Sequence, residues 1–566
     1  MSSPYPSLQT ASLPSPVLWE LPPSASLHDS LRPLFNPIQS THPGMLRFCK
    51  EKKRTGTFLR FDNKWHLDSF TSPTPYRSGL FSAKVAEYKD SVATGVVKDI
   101  SGFCKILHML DAYRVIQGDY PMAQHPGLPS PGTKSAKVYG KLHDPQNQAY
   151  VDSVACYMLS KFREADHSPH FSLFYGAYLA IAKKYYYNIT EEFSELRHKG
   201  WFWKQCQADH FSLVGFQGNE QLPEDDALLV PPEDISDSDS NSDSDSEENL
   251  SEFGDAQESG DLASLHSASI DTESDSASGS GSGSESESSS GSEEINENIH
   301  LFAAIKEFPT MLMFLESNTA TMDSLLYDED ASELPDYELR WTAWIFQVVV
   351  ALCQIQSLWA MTHNDLHSNN ILWKETSEEF LYYSTADGRK WQVPTFGKVF
   401  RIIDFGRAIY THNDVLCISD DYLPENEAGS QYNFGPIYDP NYPRVYPNPS
   451  FELCRLSVSI LEGIFSVLPE VKENGCILSS EIDRTQHETV SPLFNLLWSW
   501  LIDSDGRNVL WDADNSERYP GFDLYTVIAQ KIKCAVPREQ LEKDIFKQFV
   551  LNEPVPQGQK VYSLFC

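Results

Sequence analysis

The chain has 566 residues, a formal net charge of -36 and ten cysteines without a C-x-x-C pair. So acidic a chain repels a polyanion, which argues against nucleic acid as a partner. The scattered cysteines predict reduced thiols and no zinc site, and no apolar run reaches the roughly 18 residues that span a bilayer.

Residues 1–75 are rich in Pro and Ser and predict an N-terminal arm. Frequent proline forbids long helices and favours extended segments, so we expect this arm to be partly disordered or to wrap around the folded body. The first residues lack the charged region and the continuous apolar region of a signal peptide. We therefore expect an intracellular protein without membrane contact.

A β-hairpin is predicted near residue 100. The apolar runs VATGVVKDI and FCKILHML flank Ser101-Gly102, which predicts two strands joined by a tight turn. The second strand carries Lys105, and Lys141 lies in a similar apolar setting further along the chain. Each lysine is either a solvated strand residue or a ligand for phosphate.

A helix and a strand are predicted next. Apolar residues recur at helical spacing over residues 147–165, which predicts a helix that carries Asp152 near its start. The run FSLFYGAYLAI predicts a buried strand over residues 171–181.

An acidic low-complexity insertion interrupts the chain. Residues 233–297 include twenty Asp plus Glu and no Lys or Arg, so the rest of the chain carries only sixteen of the 36 excess negative charges. Low hydrophobicity with dense like charge predicts disorder. Its serines precede acidic residues, as in acceptor sites of acidophilic kinases. The insertion is a phosphorylation substrate, an autoinhibitory segment or a solubilising spacer, and we favour the spacer.

The C-terminal half begins with a strand-length apolar run, FPTMLMFLES, at residues 308–317. A helix-length apolar pattern follows at residues 338–359. Further on, Asp387-Gly388 lies between two strand-like runs, which predicts a hairpin turn.

Two motifs carry the chemistry. THNDLHSNNILW has the form H-x-D-x-x-x-x-N, with His363, Asp365 and Asn370, and the triplet Asp404-Phe405-Gly406 follows an apolar run. Phosphoryl transfer needs a group that orients a hydroxyl and oxygen ligands for Mg²⁺. Asp365 suits the first task, and Asn370 and Asp404 suit the second. The alternative is that all three are ordinary loop and turn residues.

The two motifs resemble the catalytic and metal-binding segments of protein kinases. In its C-terminal half the chain resembles one branch in particular, the divergent protein kinases of giant, nucleocytoplasmic large DNA viruses. The stretches that carry this second resemblance are THNDLHSNNILW, LYYSTADGRKWQVPTFGKVFRIIDFGRAIY, AGSQYNFGPIYDP, YPNPSFELCRLSVSIL and ERYPGFDLYTVIA.

The resemblance implies an α+β, two-lobed protein-kinase-like fold with a small β-rich N-lobe and a mostly helical C-lobe. It implies an ATP- and Mg²⁺-dependent kinase for Ser/Thr hydroxyls of viral or host proteins, in the host cytoplasm or the virion. The expected segments are an arm at 1–75, N-lobe at 76–232, disordered insertion at 233–298, last N-lobe strand and hinge at 299–318, and C-lobe at 319–566.

Site residues follow from the same resemblance. Asp365 is expected to be the catalytic base, and Asn370 and Asp404 are expected to hold magnesium. Lys105, with Lys141 as its rival, is expected to bind the phosphates, and Gly95 to belong to the loop over them. Other expected roles are an acidic partner for the lysine at Asp152, a hinge for adenine at Phe314, Leu315 and Glu316, a loop brace at His363 and a backbone tether at Glu452.

The chain also departs from the family pattern. Asn364 replaces the arginine of H-R-D, His367 stands where Ser/Thr kinases have lysine, and neither the full glycine-rich loop nor an A-P-E motif is present. His367 is also typical of kinase-fold enzymes that phosphorylate small molecules. Two alternatives therefore stand beside a protein kinase, namely a small-molecule phosphotransferase and an ATP-binding pseudokinase.

Overall fold

The protein is a mixed α+β fold with one large antiparallel sheet, several small sheets and helices. The computed structural model describes residues 16–48, 56–120, 126–130, 135, 137–218, 220–223, 226, 228–232, 299–327, 334–424, 426–441, 443–480, 485–512 and 516–565. The acidic insertion predicted to be disordered lies outside the described residues.

The helices are α1 Ala25–Leu31, α2 Pro43–Leu46, α3 Ala112–Gln117, α4 Gln148–Glu164, α5 Phe193–Leu196, α6 Gly200–Gln207, α7 Tyr337–Trp359, α8 Phe451–Ile464, α9 Pro492–Trp500, α10 Asp523–Lys531 and α11 Pro537–Gln540. The strands are β1 Leu18–Glu20, β2 Phe35–Gln39, β3 Leu59–Phe61, β4 Trp65–Phe70, β5 Gly79–Lys89, β6 Val92–His108, β7 Phe174–Asn188, β8 Ser212–Gln217, β9 Glu220–Gln221, β10 Ile299–Glu316, β11 Ala320–Thr321, β12 Ile371–Glu375, β13 Phe380–Ser384, β14 Lys390–Pro394, β15 Lys398–Ile402, β16 Tyr410–His412, β17 Val415–Cys417, β18 Ile477–Ser480, β19 Thr485–His487 and β20 Val561–Ser563.

In the described residues eight strands form the large sheet, in the order β2-β7-β10-β6-β5-β4, with β8 paired to the first residues of β10 and β9 paired to β8. Strand β10 pairs with β7 over most of its length and with β6 only over its second half. Since side chains alternate between the two faces of a strand, Phe103 and Lys105 lie on the same face of β6. Helix α4 packs there, because Lys105 forms an ion pair with Asp152 of that helix.

Part of the predicted N-terminal arm belongs to this sheet. Strand β4 pairs with β5 from Trp65 to Phe70, so the predicted boundary at residue 75 falls between two paired strands. Strand β2 pairs with β7 at the opposite edge. The described part of the arm therefore wraps around the folded body, which was one of the two predictions for the arm.

The predicted hairpin turn at Ser101-Gly102 is wrong. Strand β6 runs through both residues, and the turn lies at Asp90-Ser91, where both residues have positive φ. Gly102 serves a different purpose: a Cβ at this position would lie 2.4 Å from Cζ of Phe81 on the neighbouring strand. A glycine inside a strand often marks such a close approach.

Helix α7 leads the chain into the THNDLHSNNILW motif. Ala360 ends it with φ 48°, and Thr362 then forms a β-bridge with Ile409. By length and composition the helix could cross a membrane, with a mean hydropathy of 1.4, but the qualifying window is wholly buried in the protein. It is therefore the core helix of the fold.

Small sheets complete the region around the motifs. Strands β12 and β15 pair antiparallel, with Ile371 opposite Ile402. Strands β13 and β14 form the hairpin predicted at Asp387-Gly388, and Gly388 has the positive φ that such turns require. The C-terminal strand β20 adds to this hairpin in parallel with β13.

Candidate functional site

The pairing of β12 with β15 brings the two motifs together. Asn370 immediately precedes β12 and Asp404 follows β15, and the carbonyl oxygen of Asn370 accepts the N–H of Ile403 at 3.0 Å. His363 strengthens this junction: its Nε2–H donates to the carbonyl oxygen of Ile403 at 2.7 Å, and its Nδ1 accepts the N–H of Asp365 at 3.3 Å. The imidazole thus braces the loop, as predicted.

Lys105 lies at the centre of a buried ion-pair cluster. Its Nζ is 2.9 Å from Oδ2 of Asp152 and 2.7 Å from Oδ2 of Asp404. Burial alone would lower the pKa of Lys105, but the two carboxylates outweigh burial and raise the pKa above its usual value. Asp152 also accepts the N–H of Phe405 at 3.0 Å, so one aspartate of α4 fixes both the lysine and the Asp404-Phe405-Gly406 turn.

Lys141, the rival lysine, lies elsewhere. It belongs to a short 3-10 turn, Gly140–His143, and its Nζ is 3.5 Å from Oδ2 of Asp420. The cleft that contains Lys105 is not lined by Lys141. Of the two lysines, Lys105 is therefore the one beside Asp404.

Gly95 also lies away from this cleft. Its φ of 84° accommodates an irregularity in the β5–β6 pairing close to the hairpin tip, where Ala86 pairs with Val97 but Tyr88 pairs with Ala93. It is absent from the lining of the cleft around Lys105. The positive φ of Gly95 thus serves the hairpin, and the expected role over the phosphates has no support in its position.

The three predicted hinge residues lie in two different environments. Phe314 is fully buried in the sheet core, with its ring 5.7 Å from that of Phe81, whereas Leu315 and Glu316 line the cleft. The Glu316 carboxylate forms ion pairs with Arg163, with Lys374 at 3.2 Å and with Arg401 at 3.1 Å. Burial would raise its pKa, but Arg401 and Arg163 lower it to about 2.

Asp365 is buried, accepts a hydrogen bond from a tyrosine and is influenced by the charges of two arginines. Oδ1 of Asp365 accepts the phenol O–H of Tyr525 at 2.9 Å. Burial would raise the pKa of Asp365, but the charge of Arg407, that of His367 in its protonated form, and that of Arg455 outweigh burial and lower this pKa to about 2. The carboxylate is therefore ionised at neutral pH.

Three residues around Asp365 were not predicted as site residues from the sequence, namely Arg407, Arg455 and Tyr525. Each lies inside a quoted stretch: Arg407 directly follows the Asp404-Phe405-Gly406 triplet, Arg455 lies in YPNPSFELCRLSVSIL, and Tyr525 lies in ERYPGFDLYTVIA. These stretches carried the resemblance, but nothing in them indicates the hydrogen bond of Tyr525 to Asp365 or the effect of the two arginine charges on it.

Glu452 tethers the backbone of the loop that contains His363 and Asn364, as predicted. Its carboxylate accepts the N–H of His363 at 2.7 Å and that of Asn364 at 3.2 Å. Burial raises the pKa of Glu452 to about 8, against the opposing effect of these two hydrogen bonds. Asn364 has φ 67° and donates its side-chain amide to the carbonyl oxygen of Arg407. Asparagine is among the residues that tolerate this left-handed backbone.

Asn370 has a side-chain oxygen free for a ligand. Its amide nitrogen contacts the carbonyl oxygen of Asp365 at 2.9 Å and Nε2 of His367 at 3.1 Å, which uses both amide hydrogens. Burial lowers the pKa of His367 to about 4, so this imidazole is neutral and can accept. Oδ1 of Asn370 is buried without a hydrogen-bond partner.

This donor set fits magnesium. Oδ1 of Asn370 and the carboxylate of Asp404 are hard oxygen ligands, and Mg²⁺ usually takes one or two carboxylates and completes its shell with water and phosphate oxygens. Within the described ranges, no group of three or more His, Cys, Asp or Glu side chains could hold a metal. A site with few protein ligands is thus the kind that these residues permit.

A cleft lies beside the ion-pair cluster, and its lining includes Lys105, Asp152 and Asp404 but neither Asp365 nor Asn370. An apolar contact spans it: Phe103 on β6 packs against Leu372 on β12 and against Ile403. The residues that line the cleft are Phe103, Lys105, Asp152, Cys156, Leu159, Phe171, Ser172, Leu315, Glu316, Asn318, Leu372, Ile402, Ile403, Asp404 and Phe405.

Comparison with known proteins assigns no family. Neither the scan against protein-family models nor the search of curated proteins found a match to this chain.

Proposed function

We propose that the protein is an ATP-dependent protein kinase, a divergent relative of the kinases of giant DNA viruses, that phosphorylates Ser/Thr hydroxyls of viral or host proteins in the host cytoplasm or virion. The observation that carries the proposal is the ion-pair cluster, in which Lys105 bridges Asp152 and Asp404. Protein kinases need an ion pair between a strand lysine and a helix acid, and they need the metal-binding aspartate in place.

The order of the strands supports a two-lobed protein-kinase-like fold. An antiparallel sheet carries the lysine, helix α4 supplies its acidic partner, and strand β10 leads into the region with the catalytic motif. This sequence of elements is the one that the resemblance implies.

Each residue has a task in this proposal. Lys105 binds phosphate oxygens of ATP, and Asn370 and Asp404 hold Mg²⁺, which neutralises the charge of the phosphates. Asp365 accepts a hydrogen bond from the acceptor hydroxyl. A carboxylate with a pKa of about 2 is a weak base, so Asp365 orients the hydroxyl and takes its proton only late in the transfer.

Two observations favour a second candidate, an ATP-binding pseudokinase. The loop between β4 and β5, residues 71–78, contains no glycine, and the Phe103 contact spans the cleft. Both features disfavour nucleotide binding. They do not remove any of Asp365, Asn370 and Asp404, and we therefore rank transfer first.

The test is phosphate transfer from radiolabelled ATP with Mg²⁺ to casein, to basic protein and to the protein itself. We expect labelled protein hydroxyls with the wild type and a loss of at least about 100-fold in Asp365→Asn, because a positioned acid–base group contributes roughly 10²- to 10⁴-fold. The matched control is Asp544→Asn, which changes a strongly exposed aspartate. ATP binding without transfer by any of these proteins would favour the pseudokinase, and transfer to a metabolite alone would favour a small-molecule enzyme.

A further inference from the structure

Tyr525 contacts the carboxylate that the proposed function assigns to the acceptor hydroxyl. The phenol oxygen of Tyr525, on helix α10, is 2.9 Å from Oδ1 of Asp365. The two residues are 160 positions apart in the chain, and both are buried. We propose that Tyr525 is a positioning residue, which holds Oδ1 of Asp365 so that Oδ2 faces the acceptor hydroxyl. This inference rests on the proposed function.

The surroundings of Tyr525 make it a fixed donor. Its ring stacks on Phe522 at a centroid distance of 5.0 Å and an interplanar angle of 10°, and it lies 5.9 Å from the ring of Phe451. The guanidinium carbon of Arg455 is 5.0 Å from the ring centroid. Aromatic and cation–π contacts of this kind add to burial in fixing a ring. The hydroxyl therefore has little freedom to leave Asp365.

The contacts within the catalytic loop do not fix the carboxylate of Asp365, whereas the phenol of Tyr525 can. The tether from Glu452 and the brace from His363 hold backbone atoms of the loop, and neither contacts the carboxylate of Asp365. A carboxylate rotates about its last torsion unless a donor holds one oxygen. Tyr525 supplies this donor from a separate helix.

A competing interpretation is that the Tyr525 hydroxyl occupies the position of the acceptor and blocks the site. A blocking hydroxyl must leave Asp365 for each turnover. The Tyr525 side chain is only 4% exposed and packs against Phe522, Phe451 and Arg455. This packing disfavours repeated departure of its hydroxyl from Asp365. The two interpretations predict opposite changes in activity when the hydroxyl is removed.

The experiment compares the wild type with Tyr525→Phe, which removes the hydroxyl and keeps the ring. We expect kcat for transfer to casein to fall about 10- to 100-fold, the range for loss of one hydrogen bond to a charged group. The KM values for ATP and casein should change less than about twofold, because the phenol touches neither substrate. The control is Tyr383→Phe, which removes a buried hydroxyl that lies 3.0 Å from Nε2 of His170. It should leave kcat unchanged.

A second measurement does not depend on activity. Unfolding temperatures of Tyr525→Phe, Asp365→Ala and the double variant form a double-mutant cycle, and the contact predicts that the two effects do not add. Additive effects would overturn the proposal.

An unchanged kcat in Tyr525→Phe would overturn positioning even if the cycle shows coupling, and a raised kcat would identify a blocking hydroxyl instead. If the wild type transfers no phosphate while the cycle shows coupling, the proposed function fails and positioning fails with it, although the contact stands.

Discussion

Replacing Phe103 by alanine should strengthen ATP binding. The ring contacts Leu372 and Ile403 from the opposite side of the cleft, and all three side chains are less than 10% exposed. A base that enters between β6 and β12 must separate them. Exposing roughly 60 Å², about a third of what a buried aromatic side chain covers, costs about 1.5 kcal/mol at ~25 cal/mol per Å². This cost corresponds to a roughly tenfold loss of affinity, which Phe103→Ala removes.

The assay is isothermal titration of Mg-ATP into the wild type, Phe103→Ala and a control, Phe81→Ala. Phe81 is equally buried in the same sheet but contacts Gly102 and Phe314 rather than the cleft. We expect a dissociation constant about tenfold lower for Phe103→Ala alone, with unfolding curves to show that each variant is folded. Weaker binding by Phe103→Ala would mean that the ring stacks on the base, and an equal gain in the control would mean a general loosening; each result would refute the reasoning.

Three further predictions concern the ion pairs and the loop tether. Lys105→Met should weaken ATP binding at least tenfold and lower the unfolding temperature, because it leaves two buried carboxylates without their cation. The control Lys141→Met breaks a partly exposed pair worth at most about 1 kcal/mol. Similar ATP affinities for the two variants in calorimetric titrations would contradict this prediction. ATP binding should require Mg²⁺, because one ammonium faces two aspartates, and equal affinity in EDTA would refute the charge argument. Glu452 has a folded pKa of about 8, raised from 4.5, so its stabilising contribution is complete below pH 4.5 and is lost as the pH rises through 8. The wild type should lose up to about 1.4 kcal/mol of unfolding free energy per pH unit in that window, and Glu452→Gln should not; parallel pH profiles would contradict the assignment.

Elements with a strong local pattern could be predicted from the sequence. Helices α4 and α7 and the hairpin at Asp387-Gly388 lie where spacing and turn residues indicate. The turn at Ser101-Gly102 could not be excluded in this way, because the reason for Gly102 is the ring of Phe81 on a neighbouring strand. Pairing between strands decides such cases, and a single run of residues does not contain it.

In the candidate site, too, the residues of local motifs could be predicted and the contacts between distant residues could not. His363, Asp365 and Asn370 belong to one loop, and Asp404 follows the strand paired with the end of that loop, so local motifs were sufficient to find them. The setting of Asp365 was not accessible in this way, since Tyr525 reaches it from a helix 160 residues away.

The contacts of Asp152 depend on the surrounding fold as well as on the sequence around this residue. An aspartate is one methylene shorter than the glutamate expected at this position, so its pairing with Lys105 required either a closer helix or a bridging water. The direct distance of 2.9 Å corresponds to the closer helix. The other oxygen of Asp152 accepts the N–H of Phe405, so the short side chain holds α4 against both the strand lysine and the turn at Asp404. Shortening the acid thus couples three elements through one carboxylate, and a longer side chain in the same buried space would have to give up one of the two contacts.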